Sequence, residues 1–184
     1  MKKNIAIISV FLLISLFSLN AQQDLELTHR HEVKLNLGSS VFLAFPEVSY
    51  EYILSEDMTV GAAMGFGFDT ENGDGYSFKT TPFLRWFFGR NALQPATGFF
   101  LEANGALGTQ DFYRYNTTTL NDYNWVSESM FTAGLGLAVG WKYLSRNDWS
   151  GELFMGVGRN FVYDKNYDDV SLYSRIGVSI GKRF

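Results

Sequence analysis

The chain has 184 residues and a formal net charge of −4 at pH 7, with 46% hydrophobic and 17% aromatic residues. This length favours one domain, and the aromatic content excludes a disordered chain. The acidic balance argues against a nucleic-acid partner, and the lack of cysteine excludes disulfides, thiolate zinc sites and cysteine nucleophiles.

The first 21 residues have the pattern of a cleavable signal peptide. Two lysines precede an apolar stretch from Ile5 to Leu19. This stretch is shorter than the roughly twenty residues that a spanning helix needs, so we expect cleavage after Ala21. A retained membrane anchor is the alternative interpretation.

The rest of the chain alternates between apolar and polar residues, which is the pattern of β-strands. Between Met58 and Asp69, for example, the even positions carry bulky residues, while the odd positions carry mainly glycine, alanine and threonine. The pattern predicts eight strands, at 32–37, 47–54, 58–69, 76–88, 99–108, 131–143, 149–157 and 170–184. An even number of strands is typical of single-chain outer-membrane barrels.

Three features favour a barrel with its apolar face toward lipid. The faces opposite the bulky residues are rich in glycine, serine and charge, which suits a narrow interior. Short connections alternate with longer polar ones, as in outer-membrane barrels. Aromatic residues gather at strand ends, with Tyr52, Trp86, Phe88, Trp141, Tyr143, Trp149 and Phe184 at one end and Phe66, Phe68, Tyr76 and Phe78 at the other.

The predicted fold is therefore all-β: an eight-stranded antiparallel transmembrane up-and-down barrel over 31–184. A short periplasmic segment over 22–30 is expected between the signal peptide and the barrel. A soluble eight-stranded barrel of lipocalin type, with the apolar faces inside, is the main alternative.

The alternation also predicts which charged residues point into the lumen. This inward set contains six acidic and six basic residues: Glu32, Lys34, Glu47, Glu51, Asp69, Lys79, Arg85, Glu102, Lys142, Glu152, Arg175 and Arg183. We expect a polar network that plugs the lumen, because eight strands leave room for little beyond their own side chains. Its predicted members are Glu51, Arg85, Glu102, Lys142, Glu152 and Arg175, with Arg175 pairing with Glu51, Glu102 or Glu152. A narrow gated channel is the alternative.

A polar segment from Asp111 to Ser127 is predicted to be a long extracellular loop. It carries five aromatic residues, namely Phe112, Tyr113, Tyr115, Tyr123 and Trp125. Such residues are enriched at recognition surfaces, so Tyr113, Tyr115, Tyr123 and Trp125 form a candidate recognition loop for a protein partner. Anchoring at the membrane interface is the competing interpretation.

No residue pattern indicates an enzyme, a cofactor site or a metal site. The two histidines, His29 and His31, precede the first strand without other obvious ligands. The acidic segment 69–75 lacks the spacing of a calcium loop and is interpreted as a hairpin connection. The alternation places the Arg159 side chain on the outward face near the outer rim, where it can reach lipid phosphates.

The chain resembles the small eight-stranded outer-membrane barrels of the OmpA/OmpX type, and more closely a family of porin-like barrels of unestablished function. The resembling segments are 48–68, 81–89, 98–108, 151–161 and 174–184. The resemblance implies that Phe184 belongs to the carboxy-terminal signal read by the outer-membrane insertion machinery, although Lys182 departs from that pattern.

The expected function is that of a small integral protein of the cell outer membrane, surrounded by outer-membrane lipids. It would have a structural or interaction role, as an envelope component or an accessory subunit of an outer-membrane complex. A narrow channel and a lipid-modifying enzyme are the alternatives.

Overall fold

A computed structural model describes residues 29–68, 76–88, 94–117, 123–162 and 172–184, with backbone alone at 112–117 and 123–128. It contains eight strands and one short helix. In chain order these are β1 (His31–Asn36), α1 (Leu37–Phe42), β2 (Glu47–Ile53), β3 (Met58–Phe66), β4 (Tyr76–Phe88), β5 (Gly98–Thr117), β6 (Tyr123–Leu144), β7 (Trp149–Val162) and β8 (Leu172–Arg183).

The eight strands form a closed antiparallel barrel in which each strand pairs with the next, and β8 pairs with β1. Glu32 on β1 shows the closure, because it lies opposite both Glu51 on β2 and Arg183 on β8. The predicted all-β, eight-stranded antiparallel fold is confirmed. The terminal end of the barrel, where β1 begins and β8 finishes, also holds the tight β2–β3 and β6–β7 turns. The opposite end, at which the β5–β6 hairpin closes, is called the hairpin end.

The strands bury alternate residues, and the buried face is the charged one. On β8 every second residue is buried, including Arg175 and Arg183, while Ile176, Val178 and Ile180 are exposed. The described strands repeat this arrangement around the barrel, so that most glutamates, lysines and arginines lie inside and most leucines, valines and methionines lie outside. A soluble barrel of lipocalin type would have the opposite polarity.

The predicted loop from Asp111 to Ser127 is wrong. Strands β5 and β6 continue through it, pairing from Asp111 with Ser129 up to Thr117 with Tyr123. The segment alternates tyrosine and tryptophan with polar residues, and such residues favour extended structure despite their polarity. The β4–β5 ladder extends only to Gln110 of β5, and the β6–β7 ladder extends only to Ala133 of β6. Within the described residues, the β5–β6 hairpin therefore projects beyond both neighbouring ladders.

Tyr76 departs from the predicted outer aromatic belt, because it is buried inside the barrel. The register between β4 and β5 shifts between Tyr76, which lies opposite Gln110, and Phe78, which lies opposite Thr109. A bulge of this kind reverses the side of the sheet to which the following residues point. Simple alternation along β4 therefore assigned Tyr76 to the wrong face.

Helix α1 replaces the continuation of β1 beside β8. The β1–β8 ladder covers only Glu32–Asn36 and Ser179–Arg183, although β8 begins at Leu172. The Asn36 side chain caps α1 by accepting from the Ser39 backbone N–H, and Gly38 lies close to the Val178 backbone. No helix in the described ranges is long and apolar enough to cross a membrane.

Candidate functional site

The barrel interior is organised around Arg85, whose side chain is 1% exposed. Its Nε donates to Glu102 at 2.8 Å, and its Nη1 donates to Glu51 at 3.0 Å and to Glu152 at 2.8 Å. Glu102 lies directly opposite Arg85 on β5, whereas the other two glutamates reach across the lumen from β2 and β7. One guanidinium thus links four strands.

Two lysines complete the centre of the interior. Lys34 Nζ donates to Glu51 and to Glu152, the latter at 3.0 Å. Lys142 Nζ donates to Glu51 at 2.9 Å and lies 3.3 Å from Glu32. Carboxylate oxygens of Glu32, Glu51 and Glu152 lie within 4.8 Å of one another. The surrounding ammonium and guanidinium groups neutralise this cluster, so the geometry is that of an ion-pair network.

The ion pairs continue toward both ends of the barrel. On the hairpin side, Arg175 donates to Glu102 at 2.8 Å and to Glu47 at 3.2 Å. On the terminal side, Arg183 lies 3.1 Å from Glu32. The result is an uninterrupted series of ion pairs along the lumen, which fixes the packing of β1, β2, β4, β5, β6, β7 and β8 against one another.

Aromatic rings separate and cover these cations. The Arg85 guanidinium lies 4.5 Å from the Phe83 ring centroid and 4.4 Å from that of Phe100, which places it between two rings. Arg175 lies 4.9 Å from the Phe154 ring, and Lys142 lies 5.3 Å from that of Phe87. Desolvated contacts of this kind are attractive because the ring faces are negative.

Glycines on neighbouring strands make room for these rings. A Cβ at Gly158 would lie 2.1 Å from Tyr173 Cζ, and one at Gly140 would lie 2.4 Å from Phe100 Cζ. Real atoms do not approach so closely, so each ring occupies the space that a larger residue would fill. The same relationship joins Gly61 to Phe83, Gly65 to Phe45, Gly108 to Tyr76 and Gly177 to Phe154.

Apolar clusters lie on either side of the charged centre. Toward the terminal end, Ile53, Phe87, Ala96, Phe100 and Phe154 pack together. There Arg183 Nη1 also donates to the Pro95 carbonyl oxygen at 2.8 Å, which holds residues 94–97, the described part of the β4–β5 connection, beside this cluster. Toward the hairpin end, the cluster comprises Phe45, Tyr76, Ala106 and Tyr173, with Leu43 packed against it.

A cavity of about 20 Å³ lies between α1 and β8. Its lining includes Asn36, Ser39, Glu47, Lys79 and Arg175. A polar cavity of this size holds about one water molecule.

All six predicted network residues lie in this interior and are buried. Of the three partners expected for Arg175, the structure brings Glu102 to it, whereas Glu51 and Glu152 bind Arg85 instead. Its second partner, Glu47, comes from β2, across the β1–β8 seam.

The interior phenylalanines were missed by the sequence analysis, which expected small residues opposite the bulky faces. Phe83 and Phe87 lie two residues before and two residues after Arg85 on β4, so the alternation places all three side chains on the inward face. This spacing could have predicted the interior rings.

Phe184 and the histidines lie together at the terminal end. The Phe184 backbone exchanges hydrogen bonds of 2.7 and 2.9 Å with His31, and their rings are stacked 5.9 Å apart. His31 Nδ1 lies 2.6 Å from the Tyr50 hydroxyl, while His29 Nδ1 lies 3.4 Å from an Asp148 carboxylate oxygen. The two histidines thus contact different groups and do not converge on one site.

Some of the predictions concern residues outside the described ranges. These are the signal peptide, most of the segment 22–30, the acidic connection 69–75 with Asp69, and the first two residues of the predicted strand 170–184. The backbone of Tyr113, Tyr115, Tyr123 and Trp125 is described, and the register places Tyr115 opposite Trp125.

The fold and its polarity define a class: a closed eight-stranded barrel with a charged interior and an apolar exterior. Within that class, the chain belongs to the family described as "Protein of unknown function (DUF3575)", whose model matches residues 7–181. No curated protein matches the sequence. Among solved structures, the N-terminal β-barrel domain of Pseudomonas aeruginosa OprF is similar to this chain, with 15% identity and a TM-score of 0.48, covering 85% of this chain and 99% of that one.

Proposed function

We propose that this protein is an integral barrel of the bacterial outer membrane, with a sealed lumen and a structural or interaction role. The observation that carries the proposal is the polarity of the wall. Buried glutamates, lysines and arginines fill the interior, and the outward faces of the described strands are almost wholly apolar. In water this exterior would be an aggregation hazard, whereas in a bilayer it is the required surface.

The height of the apolar wall supports this placement. On β7, Leu153, Met155 and Val157 are the large outward residues between Trp149 and Arg159. Arg159 follows Trp149 by ten positions, so at about 3.3 Å per position and a tilt of about 40° the wall is roughly 25 Å high. That height matches the apolar band of outer-membrane barrels.

Aromatic side chains border this band at both ends. Trp86, Trp141 and Trp149 are exposed toward the terminal end, and Phe66, Phe131 and Phe161 toward the hairpin end. Aromatic girdles at the two interfaces are characteristic of membrane barrels. The start of β1, the end of β8 and the tight β2–β3 and β6–β7 turns would then face the periplasm. The hairpin of β5 and β6 would face outside.

The filled interior supports a sealed barrel over the alternative of a channel. The ion-pair network occupies the centre, and an apolar cluster lies on each side of it. An eight-stranded barrel is just wide enough for its own side chains, so conduction would require Arg85 and its partners to rearrange together.

An interaction role is supported by the hairpin formed by β5 and β6. From Asp111 to Thr117, β5 pairs with β6 beyond the described ends of β4 and β7. Within the described ranges no strand lies beside these outer edges. Edges of this kind can recruit a partner strand, and this segment contains the tyrosines and tryptophan already considered for recognition. During assembly, Phe184 would be read by the insertion machinery.

The proposal is tested by refolding the mature chain into phosphatidylcholine vesicles. We expect a protease-resistant, heat-modifiable species that produces no stepwise conductance in planar bilayers. Val139→Arg, on the outward face of β6 opposite Met155, should impair insertion, since an arginine at the bilayer midplane costs about 2–4 kcal/mol. The matched change Asn147→Arg, in the exposed β6–β7 turn, should have no effect. A monomeric species that is stable in water without detergent would contradict the proposal.

A further inference from the structure

Arg159 is an exposed cation on the outward face of β7, surrounded by apolar residues. It lies opposite Leu135 on β6 and Leu172 on β8, and Val157 and Phe161 are its outward neighbours along the strand. Within the described ranges, no carboxylate or other protein group forms an ion pair or hydrogen bond with its guanidinium. Strand pairing thus holds a permanent positive charge at the border of the apolar wall.

Lys182, at the opposite border, provides a contrast. Its Nζ donates to the Asn147 backbone oxygen at 2.5 Å and lies 5.8 Å from the Trp149 ring. The terminal-end cation therefore has protein partners. Arg159 has the same kind of position on the outward face, where its side chain is exposed, and it has no such partner among the described residues.

Ser174 supplies a second polar group beside Arg159. It is an exposed residue of β8 directly opposite Val157, which makes it a diagonal neighbour of Arg159 across the β7–β8 ladder. Diagonal neighbours in antiparallel sheets are about 7–8 Å apart, within reach of a long side chain. A guanidinium and a hydroxyl at this spacing can both donate to one tetrahedral anion.

We propose that Arg159, assisted by Ser174, binds the phosphate of a lipid in the outer leaflet, and this inference rests on the proposed membrane function. Arginine matches phosphate because its planar donors form two parallel charge-assisted hydrogen bonds. The acyl chains of that lipid would lie over Leu137 and Val157, which continue the apolar wall below Arg159. The ligand class is a phosphorylated membrane lipid, since a free anion would gain nothing from that wall.

The test uses native mass spectrometry of the refolded full-length mature barrel, released from detergent with diphosphorylated lipid A. We expect the wild-type barrel to retain lipid A. Arg159→Gln should weaken retention roughly tenfold or more, in proportion to the loss of charge-assisted hydrogen bonds. Ser174→Ala should weaken it less. Lys182→Gln is the matched protein control and should retain lipid A as the wild type does. Lipid A without its phosphates is the ligand control, and the wild type and Arg159→Gln should retain it equally.

Each other outcome counts against the proposal in a distinguishable way. If Arg159→Gln inserts into vesicles but retains lipid A like the wild type, the lipid site is wrong and the membrane function stands. If inorganic phosphate displaces lipid A, the site recognises the anion alone and the lipid assignment is wrong. If the wild-type barrel does not insert into vesicles, the proposed function and this inference both fail.

Discussion

The Asn36 side chain pairs with the Val178 backbone as a neighbouring strand would. Its Oδ1 accepts from the Val178 N–H at 3.2 Å, and its Nδ2 donates to the Ile176 carbonyl oxygen at 3.4 Å. Because β1 stops at Asn36, this side chain extends the β1–β8 seam by one further step. This matters in a bilayer, because the backbone N–H and C=O groups of an exposed strand edge have no water there to hydrogen-bond with.

Replacing Asn36 should therefore weaken the barrel at its seam. Asn36→Leu removes partners from Val178 N–H and Ile176 C=O and takes the cap from α1. We expect the free energy of unfolding to fall by about 1–3 kcal/mol, the usual cost of an unsatisfied buried polar group. Urea unfolding in detergent micelles measures this effect. Asn147→Leu in an exposed turn is the control, and equal midpoints for the two variants would show that α1 seals the seam without Asn36.

Arg85 should be the most sensitive charged residue of the interior. Arg85→Met keeps much of the side-chain volume but leaves Glu51, Glu102 and Glu152 without their shared cation. Breaking a buried ion pair in this way costs about 3–5 kcal/mol. Arg146→Met, in the exposed β6–β7 turn, should change stability little, as is usual for surface charges. The comparison of unfolding midpoints would contradict the network if the two substitutions proved equally mild.

The glycines beneath the interior rings give a sharper steric test on a single strand. Gly158→Ala places a methyl group 2.1 Å from Tyr173 Cζ, whereas Gly151→Ala on the same strand meets nothing within 4 Å. Overpacking of this kind costs about 1–3 kcal/mol. We expect Gly158→Ala to lower the unfolding midpoint and Gly151→Ala to leave it unchanged or raise it. Tolerance of both would mean that Tyr173 does not lie against β7.

The extended hairpin should be dispensable for folding. Beyond Gln110, the described part of β5 pairs with β6 alone. Replacing residues 113–125 with a short Gly/Ser linker should leave a heat-modifiable barrel and abolish co-purification of any partner that binds the hairpin. A scrambled hairpin of the same length controls for bulk. Loss of the folded species would mean that the hairpin is needed to complete the barrel.

Alternation was sufficient to predict the eight strands and the inward direction of Arg85, Glu102 and Lys142, because strand parity determines which face a residue occupies. It was insufficient where the backbone departs from strict alternation. The bulge after Tyr76 shifts the alternation in β4, and helix α1 begins at Leu37, which was predicted to end a strand, and continues through 38–42, where no element was predicted.

Predicting which charged residues pair was harder than predicting whether each side chain points inward or outward. Arg175 and Glu47 lie on strands that are not adjacent in the ladder, so their contact depends on the stagger of the closed barrel. Stagger is a property of the whole sheet, and a pattern within one strand does not contain it. The hairpin illustrates a different difficulty, since its polar residues resemble a loop although tyrosine and tryptophan favour strands.

The central claim is that the outward face contacts lipid while the charged face is sealed inside. The chain contains no cysteine, so single cysteines can carry nitroxide labels without background. With labels at Leu153, Met155 and Val157 of the barrel in vesicles, the account predicts high collision rates with oxygen and low rates with a water-soluble nickel chelate. A label at Asn147 in the exposed turn should show the reverse. Free access of the nickel chelate to Met155 would contradict the account, because it would place the middle of the apolar wall in water.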